Sequence, residues 1–144
     1  MDKYKYIIVP LFTLILCQIL KFIIEGIKSK EFSIKRLFSG SGGMPSSHTS
    51  LSVSLLMIIA LNEGVDNIYF AIMLVLSMIV AYDGMNVRLE TGKQAKTINA
   101  LVDAIFDKSE FEALKEELGH KPKEVLFGII LGVIVPIIYT YVIL

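Results

Sequence analysis

The chain has 144 residues, of which 54% are hydrophobic, and its formal net charge is zero. This length predicts one domain, residues 1–144, and the neutral charge balance gives no reason to expect a nucleic-acid partner. A single cysteine, Cys17, excludes a disulfide framework within the chain and is interpreted as a packing residue.

The apolar residues are concentrated in blocks long enough to enter a membrane. Three of them are Tyr6–Ile24, Asn67–Tyr82 and Val125–Leu144, and a hydrocarbon core of about 30 Å takes roughly 20 helical residues. A fourth block, Leu51–Leu61, is too short alone but becomes a helix of about 16 residues together with Ser46–Ser50. The pattern predicts an all-α polytopic membrane protein, a bundle of about four membrane helices.

Lysine and arginine are distributed unevenly over the predicted loops. Two connections are rich in these bases, whereas Asn62–Asn67 carries Glu63 and Asp66 and no base. The bases are Lys28, Lys30, Lys35 and Arg36 after the first block, and Arg88, Lys93, Lys96, Lys108, Lys115, Lys121 and Lys123 before the last. Because such loops stay on the inner side, we expect both to face the cytoplasm, with both termini outside the cell membrane.

The segment Thr91–Gly119 is the only sizeable one outside the predicted membrane blocks. Its apolar residues recur at helical spacing, which predicts an amphipathic cytoplasmic helix lying on the membrane or against the bundle. These residues are Ile98, Leu101, Val102, Ile105 and Phe106. Ser109–Glu112 is typical of a capping box and predicts a second short helix ending at Gly119. His120 would then lie in the joint before a helix that Pro122 opens.

One of the two histidines lies in the stretch Gly43–His48, directly before an apolar block. Pro45 suits a first helical turn, so the free amides of Ser46, Ser47 and His48 would face the loop. A helix N-terminus of this kind binds anions. The stretch fits equally a serine-rich helix start with an incidental histidine, and both interpretations are open at this point.

The other histidine, His120, precedes Glu124 by four residues across a predicted helix start. That spacing lets the carboxylate approach one ring nitrogen and leaves the other as a nucleophile or base. Taken alone, the pair also fits an interfacial capping histidine beside a solvated acid. Gly128 and Gly132, further along the same helix, predict a face for close helix packing.

Together the two stretches resemble motifs of a known superfamily. Pro45-Ser46-Ser47-His48 resembles the Pro-Ser-Gly-His motif of type 2 phosphatidic acid phosphatases and vanadium haloperoxidases. The stretch His120–Gly132 resembles their third motif, His-x-x-x-Asp-Val with trailing glycines, with Glu124 in place of Asp. The chain is most similar to the small divergent branch of this superfamily, whose pattern Arg88 and Gly92–Ala95 also match. The resemblance runs from about residue 40 to the C-terminus.

This resemblance implies a membrane phosphatase and a role for each motif residue. His120 would be the nucleophile that becomes a phosphohistidine, and Glu124 would orient it. His48 would protonate the departing alkoxide and then deprotonate the hydrolytic water. The residues that would hold the phosphoryl oxygens are Gly43, Ser46, Ser47, Arg88 and Lys93.

The resemblance implies neither metal nor cofactor, and a membrane-embedded pocket favours a lipid or prenyl alcohol as the carrier of the phosphomonoester or pyrophosphate. Candidates are phosphatidylglycerophosphate, phosphatidate and prenyl phosphates, reached from the cytoplasmic side of the membrane. Homo-oligomerisation is left open.

One motif of the superfamily is absent. It consists of Lys, six residues and Arg-Pro, whereas seven residues separate Lys28 from Arg36, and Leu37 follows. We expect Lys93 to supply the missing charge from a turn before the amphipathic helix, close to Arg88; Arg36 is the alternative.

Two other functions are compatible with the sequence. Asp83–Arg88 resembles the centre of the CDP-alcohol phosphotransferase signature, with Asp103 and Asp107 following, which would make a two-metal enzyme. However, Val80 occupies the position of one expected metal ligand. Asp83 would otherwise pair with Arg88 or Lys93. The second alternative is a membrane helix bundle without catalysis that acts in binding or assembly.

Overall fold

The computed structural model describes residues 3–30, 43–106 and 111–143, and these form a helix bundle. In chain order the helices are α1 (Lys5–Ser29), α2 (Ser47–Glu63), α3 (Ile68–Met85), α4 (Val87–Ile105) and α5 (Pro122–Ile138). A π-helical turn, Tyr139–Ile143, continues α5. The all-α class is confirmed.

The predicted membrane helices are present, and three are long and apolar enough to cross a bilayer. These three lie within Lys5–Ser29, Ile68–Ile105 and Pro122–Val142. The remaining helix, α2, has 17 residues, which is about 26 Å at 1.5 Å per residue and slightly less than the hydrocarbon thickness. It packs against α5, α1 and α3, so it lies at the centre of the bundle.

The outer faces of the long helices are apolar. On α3 the buried residues are Ser77 and Gly84, while large side chains such as Ile72 and Met78 are exposed by 56% and 65%. A soluble protein would have to cover such a face, whereas a lipid bilayer solvates it. The surface therefore agrees with the membrane assignment.

The interior changes character along α2. Toward the C-terminal half of α2, Val9, Ile58 and Val135 form an apolar cluster between α1, α2 and α5. Toward its N-terminus the buried residues are mostly hydroxyl-bearing, and the Thr13 and Ser54 hydroxyls are 2.9 Å apart. The small polar side chains let the neighbouring helices approach closely at this end.

The glycine face of α5 uses this space. A Cβ on Gly132 would lie 2.9 Å from the Ser50 carbonyl oxygen, and one on Gly128 would lie 2.7 Å from that of Ser46. The predicted small-residue packing face is therefore confirmed, and its partner is α2.

The predicted amphipathic helix is confirmed as α4, but its start differs from the prediction. It begins at Val87, directly after α3, so Lys93 lies inside a helix and not in a turn. The prediction of a second short helix is wrong, because residues 112–118 are not helical. The Asn99 amide group instead bonds both the N–H and the carbonyl of Leu114, each at 2.8 Å. Ser109 and Glu110 lie outside the described residues.

Residues 111–120 run back along α4 toward its N-terminus in close contact. A Cβ on Gly92 would lie 2.5 Å from the Glu116 carbonyl oxygen. Gly119 has φ +79°, and a Cβ there would collide with the Leu89 backbone. At the end of this path the His120 amide donates to the Gly84 carbonyl at 2.8 Å. The segment thus fixes His120 at the junction of α3 and α4.

Candidate active site

The structure brings the two histidines to the same end of the bundle. His48 is the second residue of α2, and His120 precedes α5 by two residues. The titratable groups that interact electrostatically with His48 include His120, Arg88 and Asp83. His120 is only 7% exposed, whereas His48 is exposed at the helix start. One site therefore contains a buried and an accessible imidazole.

The carboxylate of Glu124 organises this site. Its Oε2 lies 3.1 Å from Nδ1 of His120, as the four-residue spacing predicted. The same oxygen accepts from the amide of Lys121 at 3.1 Å and lies 3.4 Å from the amide of Gly43. Because Nδ1 faces the carboxylate, Nε2 lies on the opposite side of the ring.

The surroundings keep His120 neutral near pH 7. Burial lowers the pKa of His120 below its ordinary value, because it disfavours the charged imidazolium. The hydrogen bond and negative charge of Glu124 oppose this effect in part, and the charge of Lys21 adds to it. A neutral imidazole is the form that can attack an electrophile.

The start of α2 differs from the prediction in the place of Pro45 and in the Ser46 amide, which was predicted to be free. Helix α2 begins at Ser47 with Ser46 as N-cap, so Pro45 lies before the helix and not in its first turn. The Ser46 amide donates to the Glu124 carbonyl at 2.9 Å, and its hydroxyl lies 2.9 Å from that of Thr49. Ser46 therefore links α2 to α5, and the anion-binding capacity of this end rests on Ser47 and the next amides of the first turn.

Gly43 is held where its backbone meets α1. Its φ is +112°, a Cβ would collide with the Glu25 carboxylate, and the same Cβ would lie 2.9 Å from Cε of Lys21. The positive φ favours glycine, because any other residue would strain the backbone there, whereas the flexible ends of Glu25 and Lys21 could move away from a Cβ. This contact places Lys21 and Glu25 at the edge of the histidine site.

Of the two predicted oxygen-binding bases, the structure brings only Arg88 to the histidines. Its Nε bonds Oδ2 of Asp83 at 2.8 Å, which confirms one of the two pairings predicted for Asp83. Lys93 contacts Glu90 at 2.6 Å with 63% of its side chain exposed. Among the described residues, Lys93 is not one of the main electrostatic influences on either histidine.

A lysine that the sequence motifs do not include also belongs to this environment. Lys21, on α1, is 5% exposed, and its charge acts on both histidines. The signal was available in the sequence, because a lysine within an apolar span marks a functional site by default. Lys28, the lysine compared above with the missing motif, is exposed. Arg36, the arginine of the same comparison, lies outside the described residues.

The geometry separates the aspartates of the two-metal alternative. Asp83 is bonded to Arg88 beside the start of α4, whereas Asp103 lies 16 residues beyond Val87 in that helix, about 24 Å along its axis. Asp107 lies outside the described residues, within which no group of three or more His, Cys, Asp or Glu is placed to hold a metal ion.

A cavity of about 480 Å³ opens beside the site. Its walls include Glu25, Gly43, Leu118, Gly119 and Glu124, so it reaches the carboxylate that contacts His120. This volume lies in the range of pockets that take small molecules or polar head groups.

Comparison with known proteins agrees with the motifs. The model of the divergent PAP2 family matches residues 3–135. A Bacillus subtilis relative, the uncharacterized membrane protein YuiD, is 33% identical over 141 residues, and the alignment covers 89% of each chain. No solved structure matches. PAP2 denotes the type 2 phosphatidic acid phosphatases, and the chain belongs to the divergent PAP2 family.

Proposed function

We propose that this membrane protein is a phosphatase that hydrolyses a phosphomonoester or pyrophosphate carried by a lipid or prenyl alcohol. The observation that carries the proposal is the pair of histidines at one end of the bundle, with Glu124 on Nδ1 of His120. Membership of a PAP2-related family supports the same chemistry.

The first step transfers the phosphoryl group to the protein. Nε2 of neutral His120 attacks phosphorus, a P–N bond forms, and the P–O bond to the leaving alcohol breaks. Protonated His48 gives its proton to the departing oxygen. Desolvation and, after it, the charge of Arg88 lower the pKa of His48 below its ordinary value, so this acid role is favoured at acidic pH. Glu124 stabilises the positive charge that develops on the His120 ring, and Arg88 neutralises charge on the phosphoryl oxygens.

The second step restores the protein. His48, now neutral, takes a proton from a water molecule, whose oxygen attacks phosphorus. The P–N bond breaks, inorganic phosphate leaves, and His120 returns to its neutral form. Exposure of His48 gives this water access to the site.

The position of the site favours a lipid substrate. A cavity whose walls include the charged residues Glu25, Lys28 and Lys121 opens at the end of apolar helices, so a head group can enter it while the tail stays among the lipids. Candidates are phosphatidylglycerophosphate, phosphatidate and prenyl phosphates. The Lys and Arg distribution favours a site on the cytoplasmic side of the cell membrane.

A phosphate-release assay of the full chain in detergent, over a panel of lipid phosphates, tests the proposal. We expect turnover of at least one lipid phosphate and its loss in His120→Ala with the fold retained. Substantial activity in folded His120→Ala would contradict the histidine mechanism.

Chelation separates the proposal from the two-metal alternative. We expect activity to survive EDTA and to be inhibited by vanadate, a phosphoryl analogue. Activity that stops with EDTA and returns with magnesium would favour the carboxylate alternative.

A further inference from the structure

Lys21 lies inside an otherwise apolar helix and faces the interior of the bundle. It is 5% exposed and eight residues before the end of α1, about 12 Å along the helix axis. One turn earlier on the same face, the Cys17 thiol donates to the Pro45 carbonyl at 3.6 Å. This face of α1 therefore packs on the turn that leads into α2 and His48.

The ammonium group belongs to the electrostatic environment of the histidine site. Its aliphatic stem reaches Gly43, whose amide is 3.4 Å from the carboxylate of Glu124. The charges that interact with Lys21 include Glu25 and Glu124. Its own charge acts on His48 and on His120.

A charged lysine inside a membrane helix is unfavourable unless it faces the bundle interior and is paired with an opposite charge or a ligand. By contrast, Lys93 pairs with Glu90 on the protein surface, where neither side chain is buried. Glu25 and Glu124 supply negative charge to Lys21, and an anionic ligand beside the two histidines would present further oxygens to the same ammonium group.

We propose that Lys21 is the lysine that binds the phosphoryl oxygens in this site, the role that the sequence pattern assigned to Lys93. This inference rests on the proposed phosphatase function for its catalytic consequence, but the anion site itself does not depend on turnover. When a phosphoryl group enters, the ammonium shifts part of its interaction from Glu25 and Glu124 to phosphoryl oxygens. Arg88, whose charge also acts on His48, holds the same group from α4.

Paired charge-removal variants test which lysine acts. Lys21→Met keeps a long unbranched stem and removes the charge, so we expect kcat/KM to fall by about 10²- to 10³-fold. Lys93→Ala is the matched control on an exposed ion pair and should change kcat/KM by less than about fivefold. A large loss in Lys93→Ala with none in Lys21→Met would overturn the assignment.

A second comparison distinguishes a phosphate ligand from a counter-ion that only balances Glu25. In Lys21→Met/Glu25→Gln both charges are removed, so an electrostatic imbalance is relieved. We expect the double variant to stay as inactive as Lys21→Met. Recovery to wild-type activity would show that Lys21 acts only through Glu25 and would overturn the proposal.

Binding of inorganic vanadate to the full chain in detergent provides a readout independent of hydrolysis. Vanadate should raise the thermal unfolding temperature of the wild-type protein, and Lys21→Met should weaken its apparent affinity at least about tenfold, as loss of one charge-assisted contact does. Lys21→Gln, which keeps a polar tip, replaces Lys21→Met in this experiment if Lys21→Met does not fold.

Unchanged vanadate affinity in a folded variant, or no vanadate binding to the wild-type protein, would overturn the proposal. Lys21-dependent binding without hydrolysis of any lipid phosphate would support the anion site and reject the phosphatase function alone.

Discussion

At the scale of single residues, Glu124 has the most consequential position. One carboxylate oxygen contacts the ring of His120, the amide of Lys121 and, more distantly, the amide of Gly43. It thereby caps α5 and orients the proposed nucleophile at the same time. A residue with both roles links the stability of the site to its chemistry.

We predict that Glu124→Gln lowers kcat/KM by about 10- to 100-fold, the cost of losing a partner that orients a functional histidine. The acid limb of the pH profile should also move. Because the carboxylate raises the pKa of His120 against the effect of burial, its removal lowers that pKa further. His120 then stays neutral to lower pH, and the acid limb shifts to lower pH.

The check is a pH profile of kcat/KM for wild type, Glu124→Gln and Glu124→Asp on one substrate. Glu124→Asp keeps the negative charge and should leave the acid limb closer to that of the wild type. An acid limb in Glu124→Gln that stays in place or moves to higher pH would show that Glu124 does not act on the titrating group.

At the scale of elements, the site depends on the contact of α2 with α5. The hydroxyl-rich start of α2 and the glycines of α5 allow backbones to approach until Ser46 N–H reaches the Glu124 carbonyl at 2.9 Å. This hydrogen bond connects the helix of His48 to the helix next to His120. Helix packing therefore sets the distance between the two histidines.

We predict that Gly132→Ala destabilises the protein by about 1–3 kcal/mol, the usual cost of overpacking. Its Cβ would lie 2.9 Å from both the Ser50 carbonyl oxygen and the Val53 Cβ. Alanine is intrinsically the better helix former by about 1 kcal/mol, so a loss of stability must come from packing. Thermal unfolding in detergent measures it.

The control for this prediction is Ile130→Ala in the same helix, because the Ile130 side chain is 41% exposed. Its unfolding temperature should fall less than that of Gly132→Ala, since a lipid-facing side chain leaves no cavity inside the bundle. An unchanged or raised unfolding temperature in Gly132→Ala would mean that α2 and α5 can move apart without loss of protein stability.

At the scale of the whole molecule, the bundle has two chemically different ends. The histidine site, the Lys121 region and the start of α2 share one end, whereas the α2–α3 connection with Asp66 lies at the other. The distribution of bases predicts that the histidine end faces the cytoplasm.

Val65 lies between α2 and α3 and is 64% exposed. We predict that a cysteine at this position, Val65→Cys, reacts with a membrane-impermeant maleimide in intact cells. Lys123→Cys, beside the site, should react only after permeabilisation. The native Cys17 is fully buried, so the wild-type protein gives the background signal. The opposite labelling pattern would place the active site on the outer side of the membrane.

The sequence by itself determined the membrane helices and the local geometry of His120 with Glu124. Helix insertion depends on the apolar content of contiguous residues, so the blocks around α1, α3 and α5 can be recognised from composition. A separation of four residues across a helix start places His120 and Glu124 together without any tertiary contact. The resemblance to the PAP2 motifs, which the family match confirms, also needed only short stretches of sequence.

Only the tertiary structure decided which bases surround the histidines and how the chain reaches His120. Lys93 is near Arg88 in the sequence, but because α4 begins early, Lys93 pairs with Glu90 instead. Lys21 lies 99 positions before His120, and the packing of α1 on the Pro45 turn brings it to the site. Residues 112–118 are not helical, and the side chain of Asn99 bonds the backbone groups of Leu114 in this segment. Such contacts join residues far apart in the chain, and local propensity carries no information about them.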